Sequence, residues 1–286
     1  MQELQFATKR TELLQLYSKN NVPFIATTRG VHSCRSLMFR AVDIQATGIA
    51  SFLVAEAGQI LSFFNYGIGD MIALSGNAAH RATEADTMLT KGSRTTASND
   101  IVIEWIAMAP RAIKCQYLPG NVGQFDAAAT PNASVVRALT GGDAAVIDPF
   151  GRIVPVDVGA SATLQHVLYQ AVAPFMSCRF EWDNADRTEK MGTCDQFTQG
   201  GGASYLNANG EPSVANRFRI PEGFLWARES QPASELIVNV RLENDVVIPF
   251  GQVVSPIDGT WPPLQAMYVE IQMRLGGLAC RVPGSN

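Results

Sequence analysis

The chain carries three histidines, His32, His80 and His166, and five cysteines, Cys34, Cys115, Cys178, Cys194 and Cys280. His32-Ser33-Cys34 offers two soft ligands, yet they alternate along an extended segment, and no second pair stands at the spacing a tetrahedral zinc site needs. The triplet reads as an ordinary strand end. His80 lies close in sequence to Glu84 and Asp86, the ingredients of a carboxylate-oriented histidine. With no nucleophile motif beside it, Ala78 to Met88 reads as a polar surface turn. His166 sits in an apolar run, as a core or interface histidine does. The cysteines are odd in number and show no C-x-x-C spacing, which predicts reduced thiols in a cytosolic compartment.

Tyr66-Gly67-Ile68-Gly69-Asp70 begins like a dinucleotide-binding fingerprint, but the position of the third glycine holds Ile72 and no strand-helix-strand pattern surrounds it. Phosphate loops, nucleophile elbows and zinc-protease helices have no counterpart in the chain. Asp143, Asp148 and Asp157 do not match a calcium loop. Asn132-Ala133-Ser134 fits a glycosylation sequon, without meaning in a chain read as cytosolic. Phe63-Phe64-Asn65-Tyr66 is the one aromatic cluster. It could stack a sugar or a base, but the basic interleaving of a nucleic-acid platform is absent, and a strand end packing into the core is the simpler reading. These residues together predict a protein that is not an enzyme, with no catalytic residue, no cofactor and no metal site.

The elements that must position these residues are mostly strands. Residues 2–18 read as one amphipathic helix, with Leu4, Phe6, Leu13, Leu14 and Tyr17 on a broad face, stopped by Asn20-Asn21 and Pro23. Period-two alternation follows at Ile101–Ile106, Leu236–Leu242 and, most cleanly, Met267–Leu275. Shorter candidates lie at Phe24–Thr28, Leu37–Ile44, Ile49–Ala55, Ile60–Phe64, Ala112–Leu118 and Phe218–Ile220; Leu164–Val172 fits strand or helix. Turn signals separate them, among them Tyr66-Gly67, Pro119-Gly120-Asn121, Gly141-Gly142-Asp143 and Asp258-Gly259. Many strands with no recurring helix argue for an antiparallel sandwich or barrel. Pro119–Ala145 and the polar stretch Asp183–Ala215 are short of strand signals, the first a candidate link between two halves and the second a long excursion from a sheet. Ala97–Asp100 and Ala233–Glu235 lead into similar strands half a chain apart, a faint echo of duplication.

Charged residues are 17% of the chain, against roughly 25% in average soluble domains. Interface cores are depleted in charge, so a neutral surface points to subunit contacts. The first forty residues hold six basic and two acidic side chains, and the remaining residues sixteen basic and twenty-four acidic. A basic arm can meet an anionic membrane, while the acidic remainder argues against a general nucleic-acid binder. Met1–Asn20 lacks the apolar core of a secretory signal, and the longest uncharged run, Val158–Cys178, is too polar to span a bilayer well.

A helix at Gln2–Leu16, strands at Leu37–Ile44, Leu236–Leu242 and Met267–Leu275, a strand start at Asp100 and two β-rich halves make a layout that resembles the double jelly-roll major capsid proteins of membrane-containing icosahedral bacterial viruses, the lineage that includes adenovirus hexon. The resemblance implies an all-β subunit of two jelly-roll sandwiches side by side: a helical arm over 1–20, a first roll over 21–140 and a second over 141–286. It further implies a homotrimer of pseudo-sixfold outline, contacts with neighbouring capsomers and other capsid proteins, and a place in the virion after assembly in the host cytoplasm. The helix would point inward, its basic residues Lys9, Arg10 and Lys19 suiting anionic lipid headgroups of an internal membrane. The 183–215 segment would be a surface loop or an arm reaching a neighbour. At 286 residues the resemblance implies a compact member, with little length for large tower loops. The competing reading is a β-sandwich binding module, a carbohydrate-binding or fibre-tip domain, which needs Phe63, Phe64 or Tyr66 exposed.

Overall fold

The computed structural model describes residues 8–19, 23–43, 50–74, 80–95, 99–117, 135–138, 145–147, 153–155, 175–182, 188–193, 218–227, 235–249 and 264–281. Among the described residues one helix, α1 (Thr8–Lys19), precedes fifteen strands. The first six are β1 (Ile25–Asp43), β2 (Ala50–Ala55), β3 (Ile60–Phe63), β4 (Met71–Ile72), β5 (His80–Arg81) and β6 (Asn99–Tyr117). Then come β7 (Val135–Ala138), β8 (Ala145–Ile147), β9 (Ile153–Pro155), β10 (Met176–Trp182) and β11 (Thr188–Thr193). The last are β12 (Phe218–Trp226), β13 (Leu236–Leu242), β14 (Val246–Pro249) and β15 (Leu264–Arg281). The protein is all-β with one short helix, as the alternation and turn signals predict.

A seven-stranded antiparallel sheet runs β12-β6-β15-β1-β2-β14, with β7 also on β6, and a four-stranded sheet runs β11-β10-β13-β3. Two hairpins, β4-β5 and β8-β9, stand apart. The alternation of Met267–Leu275 decides which side of β15 faces inward: Val269, Ile271, Met273 and Leu275 are all fully buried. They share one apolar cluster with Leu37 and Phe39 of β1, Ile103 and Ile106 of β6, and Phe63, Val238, Val240 and Leu242 of the smaller sheet. Two sheets on one core make a sandwich. Trp226 and Phe64 meet edge to face in it, 6.1 Å apart.

At the centre, β1 and β15 pair without a register shift from Ile25↔Arg281 to Arg40↔Ala266. Strands from before and after residue 140 therefore alternate in the large sheet, and β3 of the early chain closes the small one beside β13. A boundary at residue 140 does not separate the described strands.

Two expected strands merge into β1 and two into β6. Between Thr28 and Leu37 the sequence does not alternate, because β1 is covered on both sides there: Ser33 is fully buried toward the core and Cys34 fully buried on the opposite face. In β6 the interruption is Pro110, which has no N–H for the ladder. The ladder to β15 shifts at this point, from Ile271↔Pro110 to Glu270↔Ala112, and Arg111 is left without a partner. A second shift sets Gly276 opposite Trp105 and Gly277 opposite Ile103. Strands β7 and β11 fall within the two stretches read as lacking strand signals. Thr188–Thr193 carries a single large apolar residue, Met191, so its pairing with the edge of β10 left no period-two mark.

The outer face of the large sheet, turned away from the core, is covered in two places. Helix α1 sets Leu13 and Tyr17 on Val102, Leu278 and Cys280. Further along, residues 66–74 and 80–88 lie over Cys34 with a small apolar cluster of their own, formed by Tyr66, Ile72, Leu74 and Ala82. Between the two, the Trp105 indole lies over Gly276 and Gly30, where a Cβ would stand 2.1 Å and 3.8 Å from ring carbon Cζ2. A bare glycine under an aromatic ring is a way to fill a site that side chains leave empty. The expected helix at 2–18 is seen as α1; Leu4 and Phe6, like Leu164–Val172 and most of 183–215, lie outside the described residues.

Candidate functional site

Among the described residues, a gathering of chemically capable side chains lies on this outer face, under and beside residues 66–74 and 80–88. Asp86 is its centre. Its side chain is 4% exposed and takes Arg111 Nη1 at 2.6 Å and His80 Nε2 at 3.3 Å. It also accepts the Thr83 backbone N–H at 2.9 Å and the Thr83 hydroxyl at 3.0 Å. Glu270, 2% exposed, sits 2.5 Å from Lys114 Nζ and 4.0 Å from Arg111 Nε. The two buried carboxylates thus share two partly exposed cations. The bulge at Pro110 frees Arg111 to reach across to Asp86, as bulges re-aim side chains elsewhere.

Burial alone would raise the Asp86 pKa, but the Thr83 N–H and hydroxyl and the Arg111 guanidinium outweigh it and hold the carboxyl at about 2. Burial lowers His32, whose Nε2 contacts the Glu84 carbonyl at 3.0 Å. Burial also raises the Cys34 thiol, despite the nearby Arg111. Cys34 is 0% exposed. A reactive cysteine needs thiolate and access, and this one is held away from both. No group of three or more potential metal ligands exists among the described residues. The arrangement ties a covering segment to the sheet through the buried Asp86–Arg111 pair.

The residues singled out by sequence separate accordingly. His32 and Cys34 share the outer face and meet the same covering segment, while Ser33 turns inward and accepts the Phe64 N–H at 3.0 Å. His80 is oriented by Asp86, with 43% of its side chain exposed. The Tyr66–Asp70 glycine motif is a turn: Gly67 N–H donates to the Asp70 carboxylate at 2.7 Å and Gly69 has a φ of 93°. Phe63 and Phe64 are fully buried and Tyr66 is 4% exposed. The aromatic cluster is core, and an exposed stacking platform cannot be built on it. His166, Cys194, Asp143, Asp148, Asp157 and Asn132-Ala133-Ser134 lie outside the described residues.

Of the basic arm, Lys9 pairs with Glu12 at 2.8 Å and Arg10 reaches Glu104 of β6 at 3.5 Å, while Lys19 closes the last turn of α1. The helix is docked by Leu13 and Tyr17, and the Tyr17 hydroxyl donates to the Asp100 carboxylate. Sequence reasoning noted His80 beside Asp86 but set the pair aside as a polar surface turn, whereas Asp86 is buried, and it missed Arg111, Lys114 and Glu270. A signal existed: Glu270 and Arg274 occupy the polar side of the cleanest alternating strand, and charges on a central strand must find partners.

No protein-family model, no curated protein and no solved structure matches the chain.

Proposed function

We propose that the protein is a structural virion subunit, a capsid protein of the double jelly-roll kind, and not an enzyme. The observation that carries this reading is the sandwich itself. Its longest strands, of 18 and 19 residues, pair at the centre of the large sheet, which makes a stiff block from a chain with 17% charged residues. Large apolar side chains also stand at its surface, among them Ile60 at 59%, Met71 at 61% and Val247 at 56% exposed. A low-charge block with apolar contacts to spare suits packing against copies of itself.

In the proposed subunit the described sandwich is one roll, with β1 and β15 paired at the centre of its large sheet. The proposed assembly is a homotrimer of pseudo-sixfold outline that contacts neighbouring capsomers and other capsid proteins. It is made in the host cytoplasm and resides in the virion. Lys9, Arg10 and Lys19 are proposed to face anionic lipid. The binding-module alternative loses its ground with the burial of Phe63, Phe64 and Tyr66. Electron microscopy of the purified protein tests the reading: particles of near-hexagonal outline or closed shells support it, and isolated single-chain particles contradict it.

A further inference from the structure

The segment that covers Cys34 has a neck. At its two ends Phe64 and Ser93 both take left-handed backbone, with φ of 64° each, and the Ser93 N–H donates to the Phe64 carbonyl at 2.5 Å. Inside that pair the two legs pass at glycine distance: a Cβ on Gly67 would stand 2.6 Å from the Thr90 carbonyl oxygen, and one on Gly92 would stand 2.5 Å from that of Asn65. Phe64 and Leu89 anchor the neck in the main core. Beyond it, residues 66–74 and 80–88 form a lobe with its own β4-β5 hairpin and its own small apolar cluster.

The lobe meets the sheet mostly through polar contacts. Met88 N–H donates to the His32 carbonyl at 3.2 Å, and Cys34 N–H to the Asp86 carbonyl at 2.9 Å. The Tyr66 hydroxyl lies 2.8 Å from the Cys34 carbonyl and 2.9 Å from that of Asp86. Asp86 and Arg111 supply the buried charge pair. Segments held by few apolar contacts and many polar ones open at lower free energy than the core. We propose that this lobe opens as a unit on an intact sandwich, hinged at its glycine-lined neck, with Asp86–Arg111 as its latch and Cys34 uncovered by its movement. This conformational device stands independently of the shell-subunit reading.

Three thiols buried among the described residues report on three separate parts of the fold. Cys34 lies under the lobe, Cys178 in the main core and Cys280 under α1. The experiment is alkylation of the full chain in sub-denaturing guanidinium, with each cysteine quantified by peptide mass mapping and normalised to its rate in the unfolded chain. In the wild-type protein Cys34 should react at least about tenfold faster than Cys178, the ratio that a difference of ~1.4 kcal/mol in opening free energy produces. Asp86→Asn should raise the Cys34 rate about tenfold further and keep it at least about tenfold above that of Cys178, which rises only as far as the whole fold is destabilised. Equal rates at Cys34 and Cys178 in the wild-type protein overturn the proposal, whatever the variant does. An unchanged Cys34 rate in the variant overturns the assignment of the latch.

Discussion

Gly276→Ala places one methyl group where the structure has no room for it. A Cβ at this position would lie 2.1 Å from Cζ2 and 2.5 Å from Cε2 of Trp105, far inside the ~3.5–4.0 Å optimum between carbon atoms. Gly276 does not occupy the left-handed region, so its backbone accepts alanine. A glycine inside a strand costs about 0.5–1 kcal/mol relative to alanine, and without the indole the substitution would therefore be neutral or slightly stabilising. With the indole present, the ring must leave its seat over Gly276 and Gly30, and such overpacking costs typically about 1–3 kcal/mol. The expected net effect is a destabilisation of about 2 kcal/mol. A double-mutant cycle isolates the cause: in a Trp105→Ala background, Gly276→Ala should cost less than about 0.5 kcal/mol, which leaves a coupling of roughly 1.5–2 kcal/mol. Equilibrium urea unfolding followed by circular dichroism measures all four proteins without relying on the indole signal. An alanine variant as stable as the wild type, or a coupling near zero, would refute the register that sets Gly276 against Trp105.

Three further outcomes follow from the same surfaces. The hydrogen bonds and charge around Asp86 hold it at about 2 in the folded chain against an ordinary value of 3.8; its depressed pKa contributes stability that is full above about pH 4 and lost as pH falls toward 2, a contribution of about 2 kcal/mol. The stability gap between wild type and Asp86→Asn should therefore shrink across that window, and a gap unchanged between pH 7 and pH 2 contradicts the charge pairing. Tyr17→Phe removes the hydroxyl that donates to Asp100, an interaction of about 1.5–3 kcal/mol for a charged acceptor; Cys280 beneath α1 should alkylate about tenfold faster, and an unchanged Cys280 rate contradicts the docking of α1 through this bond. Replacing Lys9 and Lys19 together with glutamate should weaken sedimentation with anionic lipid vesicles by about tenfold or more, since each basic residue near such a surface contributes about 1 kcal/mol; equal sedimentation of variant and wild type would remove the lipid-facing role of the arm.

The all-β class was legible because the central strands alternate where only one face is buried, as Met267–Leu275 and Leu236–Leu242 do. The middle of β1 was not, since Ser33 and Cys34 are both fully buried on opposite sides and burial of both faces erases a period of two. Pro110 split β6 on paper; in the fold it marks a bulge. The order of strands had no local signature at all, because pairing β1 with β15 joins residues some 240 positions apart, and hydropathy alone does not reach that far. The charge cluster was half visible. His80 and Asp86 stand six residues apart in sequence, but Arg111, Lys114 and Glu270 reach Asp86 and one another only through the β6–β15 ladder and its bulge. Burial of Phe63, Phe64 and Tyr66 followed from their place beside a glycine turn, where the strand ends and the neck of the lobe begins.

The central claim is that the chain is a shell subunit that associates with itself. Sedimentation-velocity analysis of the purified full chain over a range of concentrations tests it most directly. The expected result is a species of three chain masses that persists on dilution and grows into larger assemblies at high concentration. A single species of one chain mass at every concentration contradicts the claim.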